Sequence, residues 1–291
     1  MEKKAGWQAA QRATQAQSQL KVVAVCQAVG MTPQNYYARR RARRRRAVDV
    51  ELVLELVRAE RREQPRLGGR KLYHQIRPEL EKAEVKLGRD RFFAELKRAG
   101  LLVEKKPSEW PKTTRFDPTL PVFKNLIKGR KLTGANQVWV ADITYLRTEE
   151  RFVYLAVITD KWSRKIVGFE LGQTLEAELA LQALNMALKS LKKGQRPIHH
   201  SDRGCQYASH AFVQRVEQAG LRMSMTEMNH SAENAMAERV NGILKQEYSL
   251  DGCFENHRQA KRECVHVIML YNTRRPHGSL KMRTPEQVHR G

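Results

Sequence analysis

The stretch Gln137–Leu146, which reads QVWVADITYL, decides the fold of this chain. It is rich in β-branched and aromatic residues, which predicts a buried β-strand. Asp142 lies in the middle of the stretch, between Ala141 and Ile143. A carboxylate in an apolar central strand is costly unless it is paired or binds a metal. The stretch therefore predicts both the centre of a sheet and the first member of a charged site.

Four further strands and three helices are predicted after this stretch. The strands fall at 152–159, 165–171, 197–200 and 221–225, and the helices at 176–192, 209–219 and 234–248. Short connections join the first three strands, which favours antiparallel neighbours. Strand and helix then alternate, which is typical of a mixed sheet with helices on its faces. We therefore expect an α/β core built on a mixed five-stranded sheet.

Two more acidic residues occupy positions suited to chemistry. Asp202 follows the predicted fourth strand in the segment His200–Gly204, and ligands bind at strand ends in open α/β sheets. Glu238 lies on the last predicted helix, in one polar stripe with Asn234, Asn241 and Lys245. Taken singly, the three carboxylates have structural interpretations: a satisfied buried aspartate, a turn residue and a surface charge. Their combination favours a metal site.

The chemistry of such a site follows from its charge. Three carboxylates brought together would repel each other, and hard divalent cations such as Mg²⁺ relieve that repulsion. Two ions about 3.5–4 Å apart would stabilise both the attacking and the leaving oxygen of an in-line phosphoryl displacement. Water or a DNA 3′-hydroxyl can then attack, so no protein nucleophile is required.

The charge of the whole chain points to a polyanionic partner. Its 291 residues carry 54 Lys and Arg against 31 Asp and Glu, a net charge of +23. Residues 1–130 carry +17 of this excess, and seven of the eight positions from Arg39 to Arg46 are arginine. Such a run needs phosphates or open solvent, and nucleic acid is the usual partner. We expect double-stranded DNA to bind here through Arg39, Arg40, Arg41, Arg43, Arg44, Arg45 and Arg46, with Arg70 nearby.

Other features exclude some classes of protein. No apolar run approaches the ~18–20 residues of a membrane helix, and the first residues lack the apolar stretch of a secretory signal. Four cysteines in a long chain argue against a disulfide framework and suit a reducing cytoplasm. Cys253, His257, Cys264 and His266 could suggest zinc, but their spacing is unlike a zinc finger, and a helix with core cysteines is the simpler interpretation.

The front of the chain is predicted to be helical. A helical pattern up to Val29, Gly30 as a stop, and Thr32-Pro33 as a cap and first residue form a helix-turn-helix-like pattern that ends in the arginines. A separate helix is expected at 48–62, followed by a pair at 69–80 and 89–99.

Five regions follow from these patterns. They are a helix-turn-helix-like basic region at 1–47, a second small helical DNA-binding region at 48–104, a proline-containing linker at 105–134, a catalytic core at 135–250, and a C-terminal helix and basic tail at 251–291.

The acidic residues lie in motifs that resemble a known family. The motifs are Trp139 with Asp142–Tyr145, His200–Tyr207 (HSDRGCQY), Asn234–Arg239 (NAMAER) with Leu244-Lys245, and the C-terminal Tyr271-Asn272, Arg274–His277 and Thr284-Pro285. Together they resemble bacterial insertion-sequence transposases of the third ("IS-three") family, which are similar in the core to retroviral integrases. Asp202 and Glu238 have 35 residues between them, matching the family's Asp, Asp-35-Glu signature.

The resemblance implies a ribonuclease-H-like core and metal-dependent cleavage and joining of DNA ends. It makes Asp142, Asp202 and Glu238 the metal ligands, for Mg²⁺ or Mn²⁺ in its place, with two ions per site. Lys245 would contact DNA phosphate near the terminus, and Asn234 would also contact DNA. Asn234 and His200 would act beside the site. Glu233 stands where many relatives carry aspartate.

The resemblance also implies partners. They are the element's inverted-repeat ends, target DNA and further copies of the chain. Because no sustained heptad repeat is present, the chain is expected to be a downstream-frame (OrfB-like) product with an upstream-frame partner protein. Arg274, Arg275 and His277 keep two interpretations, a DNA contact or a terminal basic loop. A catalytically silent DNA-binding regulator is the alternative function, and the intact acidic triad argues against it.

Overall fold

A computed structural model describes residues 22–28, 30–104, 119–227 and 233–291. A mixed sheet forms its centre, with strands β1 (Val138–Thr148), β2 (Phe152–Asp160), β3 (Ile166–Gly172), β4 (Ile198–Ser201) and β5 (Arg222–Met225). Their order is β3-β2-β1-β4-β5. A two-residue strand, β6 (Cys253–Phe254), also pairs with β1.

The pairing directions agree with the pattern of connections. β1–β2 and β2–β3 are antiparallel, whereas β1–β4 and β4–β5 are parallel. The five predicted strands are all confirmed, and β6 is the addition. β1 lies in the middle of the order, which explains why its residues are apolar on both faces: Val138 to Ala141 are all buried.

Ten α-helices and one short 3-10 helix, Gly278–Leu280, lie in the described ranges. The α-helices are α1 (Val22–Ala28), α2 (Pro33–Glu63), α3 (Gly69–Lys82), α4 (Arg89–Arg98), α5 (Ala177–Lys189), α6 (Cys205–Ala208), α7 (His210–Gln218), α8 (Ala235–Tyr248), α9 (His257–Thr273) and α10 (Pro285–Arg290). No helix in this part of the chain is long and apolar enough to cross a membrane.

Two apolar layers cover the sheet. α5 and α7 pack with β1 and β2 in one layer, and α8 and α9 pack with β2 and β3 in the other. α9 contributes Cys264, Ile268 and Tyr271 to the second layer. The predicted boundary at residue 250 therefore does not coincide with a break in packing, because the segment expected to be a tail completes the core.

The predicted break between residues 47 and 48 is absent. The Oγ1 of Thr32 accepts a hydrogen bond from the Asn35 N–H at 3.3 Å, and one helix then runs from Pro33 to Glu63. Between Gln34 and Glu63 there is no glycine or proline, and arginine is a good helix former, so nothing ends the helix earlier. The helix ends before Pro65, as the sequence predicts.

α2, α3 and α4 share a small core of their own. Val53 and Val57 of α2 pack against Leu72, Ile76 and Leu80 of α3 and against Phe92 and Leu96 of α4. The linker prediction is divided: 105–118 lies outside the described residues, and 119–134 has no helix or strand. Ile127 is nevertheless buried against Val138, so this part of the linker lies on the sheet.

A charged junction joins the helical region to α8. Glu247 of α8 accepts two hydrogen bonds from Arg275, both at 2.8 Å, and two from Lys71 of α3, at 3.0 and 3.4 Å. The Glu247 carbonyl accepts from the Arg66 N–H at 3.0 Å, and the Tyr248 hydroxyl donates to Gln64 at 3.0 Å. Removing one partner of a buried ion pair leaves an uncompensated charge, so these groups specify how α3 meets α8.

We predict that Glu247→Ala lowers the free energy of unfolding by about 2–4 kcal/mol, since Arg275 would remain buried without its carboxylate. Urea unfolding measures the loss, and hydrogen exchange should become faster at residues 64–72. Glu81→Ala is the control, because Glu81 pairs with Arg77 on the surface and should change stability by less than about 1 kcal/mol. Equal effects of the two substitutions would contradict the role of the junction.

Candidate active site

The parallel register of β1 and β4 brings the two aspartates side by side. Val140 of β1 pairs with His200 of β4. Asp142 lies two residues further along β1, and Asp202 lies two residues further along the chain, just past the end of β4, so the pairing brings them to the same level. Both side chains line one cleft of about 60 Å³, together with Thr144, Tyr145, Gly204, Gln206, Tyr207 and others.

Local hydrogen bonds hold each aspartate. Asp142 accepts from the Ile143 N–H at 3.0 Å and from the Asn241 amide at 2.9 Å. Asp202 accepts from the Gly204 N–H at 3.0 Å, in the turn before α6. These bonds fix the carboxylates while both remain only half-buried and open to the cleft.

Two asparagines attach α8 to β1 on either side of Glu238. Asn234 donates to the Ala141 carbonyl at 3.1 Å, and Asn241 donates to Asp142. Glu238 lies four residues after the first and three before the second, which places it on the same helix face. Its side chain is exposed, unlike the two asparagines. The third predicted carboxylate is thus held beside the strand that carries the first.

The charges of the three carboxylates interact. The pKa of Asp142 rises to about 7, first because of burial and then because of Asp202 and Glu238, against the effect of its two hydrogen bonds. Burial and Asp202 also raise the pKa of Glu238. Because neighbouring carboxylates make the ionised form of Asp142 unfavourable, a bound cation would stabilise that form most strongly at this position.

The donor set fits a hard divalent cation. Within the described ranges, no three His, Cys, Asp or Glu side chains stand close enough together to hold a metal ion, and Glu238 is not among the residues that line the cleft of the two aspartates. Mg²⁺ usually takes one or two carboxylates and completes its shell with water and phosphate oxygens. Two aspartates on one cleft, with a third carboxylate coupled to them, satisfy that requirement.

Lys245 lies in the interior beside the site. Its side chain is only 7% exposed, and its ammonium stands 4.4 Å from the centre of the Tyr145 ring. Burial lowers the pKa of Lys245 to about 8, although Asp142 and Asp251 oppose the shift. The predicted phosphate contact therefore requires DNA to enter the cleft, where Tyr145 is a lining residue.

Asn234 and His200 do not reach the surface. Asn234 is 3% exposed and holds the Ala141 carbonyl, so the burial argues against the DNA contact predicted for it. His200 is buried and its Nδ1 lies 2.9 Å from the Ser224 hydroxyl. Burial lowers the pKa of His200 to about 4, which keeps it neutral. Both residues support the site from within the fold.

The other basic residues divide into two groups. Arg39, Arg40, Arg41, Arg43, Arg44 and Arg70 are exposed, which suits DNA contacts; the side chains of Arg45 and Arg46 lie outside the described residues. Arg275 is 2% exposed and His277 is buried against it, so neither is a basic loop residue or a DNA contact. Their chemistry belongs to the junction with Glu247.

Two further expectations have clear outcomes. Cys264 is buried in the apolar core, in agreement with a helix that carries core cysteines, whereas Cys253 is exposed. The sequence predicts Asn241 on the polar stripe of α8 but gives it no role, whereas the structure shows that its amide donates a hydrogen bond to Asp142. Its spacing of seven from Asn234 and three from Glu238 was the signal, since these residues share one helix face.

Family comparisons match the core. A family model described as "Integrase core domain" matches residues 133–231, and a second with the same description matches 219–285. The strand order and these matches agree on a ribonuclease-H-like core.

Curated relatives extend the match beyond the core. A 31 kDa protein of insertion element IS600 from Shigella sonnei is 35% identical over 262 residues, covering 88% of this chain and 94% of the relative. The InsF transposase of insertion sequence IS3A from Escherichia coli K12 is 35% identical over 201 residues, covering 67% of this chain and 68% of that protein.

Solved structures are more distant. A chain of the simian T-cell lymphotropic virus intasome is 21% identical, with a TM-score of 0.49, and covers 60% of this chain and 61% of that one. The HTLV-2 integrase catalytic core domain in complex with magnesium is 19% identical, with a TM-score of 0.44, and covers 55% of this chain and 99% of that one.

We predict that Asp142→Asn stabilises the metal-free protein near pH 8. The pKa of Asp142 is about 7 in the folded chain and about 3.9 in an unfolded one. Between these values the unfolded state releases a proton that the folded state keeps, so the wild type loses stability as pH rises through this window.

Thermal unfolding in chelator at pH 5 and pH 8 measures the effect. The stability of Asp142→Asn relative to wild type should rise by about 1–3 kcal/mol between the two pH values. Asp90→Asn, at an exposed position on α4, is the control. If the stability difference between Asp142→Asn and the wild type is the same at both pH values, the pKa of Asp142 is not raised in the folded protein.

Proposed function

Because the chain belongs to the transposases of the IS3 family of insertion sequences, we propose that Asp142, Asp202 and Glu238 are the carboxylates with which it cleaves and joins DNA. Its function is DNA transposition, and it is a DDE-type polynucleotidyl transferase. The observation that carries the assignment is the parallel register of β1 and β4, which supports a common site for Asp142 and Asp202. Nothing in the site favours a catalytically silent regulator.

The three carboxylates would hold the divalent cations of the reaction, Mg²⁺ or Mn²⁺ in its place, two per site. When bound, such ions activate an attacking water or 3′-hydroxyl and neutralise charge on the phosphodiester. The chain supplies fixed ligand positions: the Asn241 amide orients Asp142, and the Gly204 N–H orients Asp202. Tyr145 lines the cleft and the Lys245 ammonium lies 4.4 Å from the centre of its ring, so this positive charge would attract a phosphate-bearing strand that enters the cleft.

The N-terminal helices would bind the DNA of the element's ends. α2 is 31 residues long, and successive residues of a helix are about 100° apart around its axis, so the arginines from Arg39 to Arg44 are distributed around the helix. Helix α1, the turn at Gly30 and capped α2 suit a helix-turn-helix role. The Glu247 junction would hold these helices in one orientation relative to the carboxylates.

Transposition joins two DNA ends, so we propose that the chain works as a homo-oligomer on DNA, with inverted-repeat ends and a target duplex as substrates. An upstream-frame protein would assist it. Mass photometry with and without end duplexes would test the oligomer.

We predict that Asp142→Asn, Asp202→Asn and Glu238→Gln each lower the rate of strand transfer by at least about 10³-fold, because each removes a charge that holds the cations. DNA affinity should change less than about threefold, since the basic helices remain. End cleavage and joining of labelled duplexes in Mg²⁺ and in Mn²⁺ measure the rate, and fluorescence anisotropy measures the affinity.

Glu217→Gln, an exposed position on α7, is the matched control and should retain wild-type transfer. Transfer near the wild-type rate by any one of the three variants would remove that residue from the site.

We predict that replacing Arg43, Arg44, Arg45 and Arg46 by glutamine flattens the salt dependence of DNA binding. Each lost phosphate contact lowers the slope of log affinity against log salt by about 0.9. Replacing four exposed cations of the core, Lys189, Lys192, Lys193 and Arg196, is the control with equal charge change. Equal slopes for the two variants would show that the arginines of α2 do not contact phosphate.

A further inference from the structure

Tyr207 lies at the floor of the cleft that holds the two aspartates. It belongs to α6, the single turn that begins just after Asp202 and Gly204. Its side chain is 2% exposed, yet it lines the same cleft as Asp142 and Asp202. The proposed roles of the three carboxylates do not involve Tyr207.

The Tyr207 hydroxyl is buried and has no hydrogen-bond partner among the residues that the structure describes. Leaving a buried hydroxyl without a partner costs about 1–3 kcal/mol. Two other buried tyrosines do not carry this cost: the Tyr248 hydroxyl donates to Gln64 at 3.0 Å, and the Tyr271 hydroxyl donates to the Arg164 carbonyl at 3.1 Å. A hydroxyl that is retained at such a cost calls for a functional explanation.

Aromatic contacts fix the direction of the Tyr207 ring. The ring meets Phe212 edge-on at 5.5 Å and lies 5.7 Å from the His199 ring. His199 is neutral, because burial lowers its pKa to about 3. These neighbours hold the phenol in place but offer its hydroxyl no charge to bind.

The Tyr207 phenol interacts electrostatically with Asp142 and Asp202. Burial, followed by the charges of Asp142 and Asp202, raises the pKa of Tyr207 well above its ordinary value. The hydroxyl therefore stays protonated and can act only as a neutral donor or an acceptor. Ionised carboxylates accept hydrogen bonds at several positions, including ones that a metal does not use.

We propose that Tyr207 is a positioning residue whose hydroxyl donates a hydrogen bond to the Asp142–Asp202 carboxylate pair when that pair holds divalent cations. The inference rests on the proposed function of the two aspartates. A neutral donor orients a carboxylate without the repulsion that a lysine or arginine would exert on the cations. Partners that orient metal ligands in this way are worth about 10–100-fold in metal affinity or activity.

The test is Tyr207→Phe in the full chain, which removes one oxygen and keeps the ring contacts. The affinity for Mn²⁺, followed by the rise in Tm on titration without DNA, should fall about 5–30-fold. At a fixed Mn²⁺ concentration below saturation, kcat for strand transfer should fall about 10-fold, KM for DNA should stay within twofold, and higher Mn²⁺ should restore part of the rate. The Tm without metal should remain equal or rise, because the unpaired hydroxyl is gone.

Tyr271→Phe is the matched control. It removes a buried hydroxyl that has a partner, so it should lower the Tm without metal and leave the Mn²⁺ affinity and kcat unchanged. If Tyr207→Phe shows the wild-type Mn²⁺ affinity, the proposal is wrong, whether or not the Tm changes.

Asp142→Asn, measured in parallel, distinguishes a failure of the Tyr207 proposal from a failure of the proposed carboxylate site. An inactive Asp142→Asn beside a fully active Tyr207→Phe would overturn only the role of Tyr207. An active Asp142→Asn would overturn the proposed site itself.

Discussion

The alignment of two parallel strands is the constraint on which the site depends. Val140 of β1 pairs with His200 of β4, so two aspartates that are 60 positions apart in the chain stand at the same level. A slip of one residue would turn one carboxylate to the opposite face. The apolar residues around them hold the register, because Val138 to Ala141 and Ile198 are buried. The burial of these apolar side chains therefore offsets the unfavourable burial and charge repulsion of the Asp142 carboxylate.

Helix α8 transmits this arrangement to the rest of the molecule. At one end it attaches to β1 through Asn234 and Asn241 and carries Glu238 between them. At the other end Glu247 binds Arg275 and Lys71, which joins the helical region to the core. One helix thus links the carboxylate site to the helices proposed to grip DNA. A shift of the helical region would act on the same helix that supplies the third carboxylate.

Much of this architecture could be predicted because its signals are local. The strand at 138–148, the cap at Thr32 and the end of α2 before Pro65 depend on neighbouring residues alone. The burial of Asn234, Lys245 and Arg275 could not be predicted, because the sequence does not show whether a polar side chain faces water or a buried partner. Arg275 is 2% exposed only because Glu247 lies opposite it.

The sequence by itself determined the element types, the mixed sheet, the basic front half and the three carboxylates, because periodicity, turn residues and charge spacing are written along the chain. The tertiary structure alone decided which of those charges share a cleft and which arginine is internal. It also decided that Tyr207 lines the cleft of Asp142 and Asp202 while its buried hydroxyl has no hydrogen-bond partner in the described residues. Those outcomes depend on which residues meet across strands and helices, and proximity in space has no local signature in the order of residues.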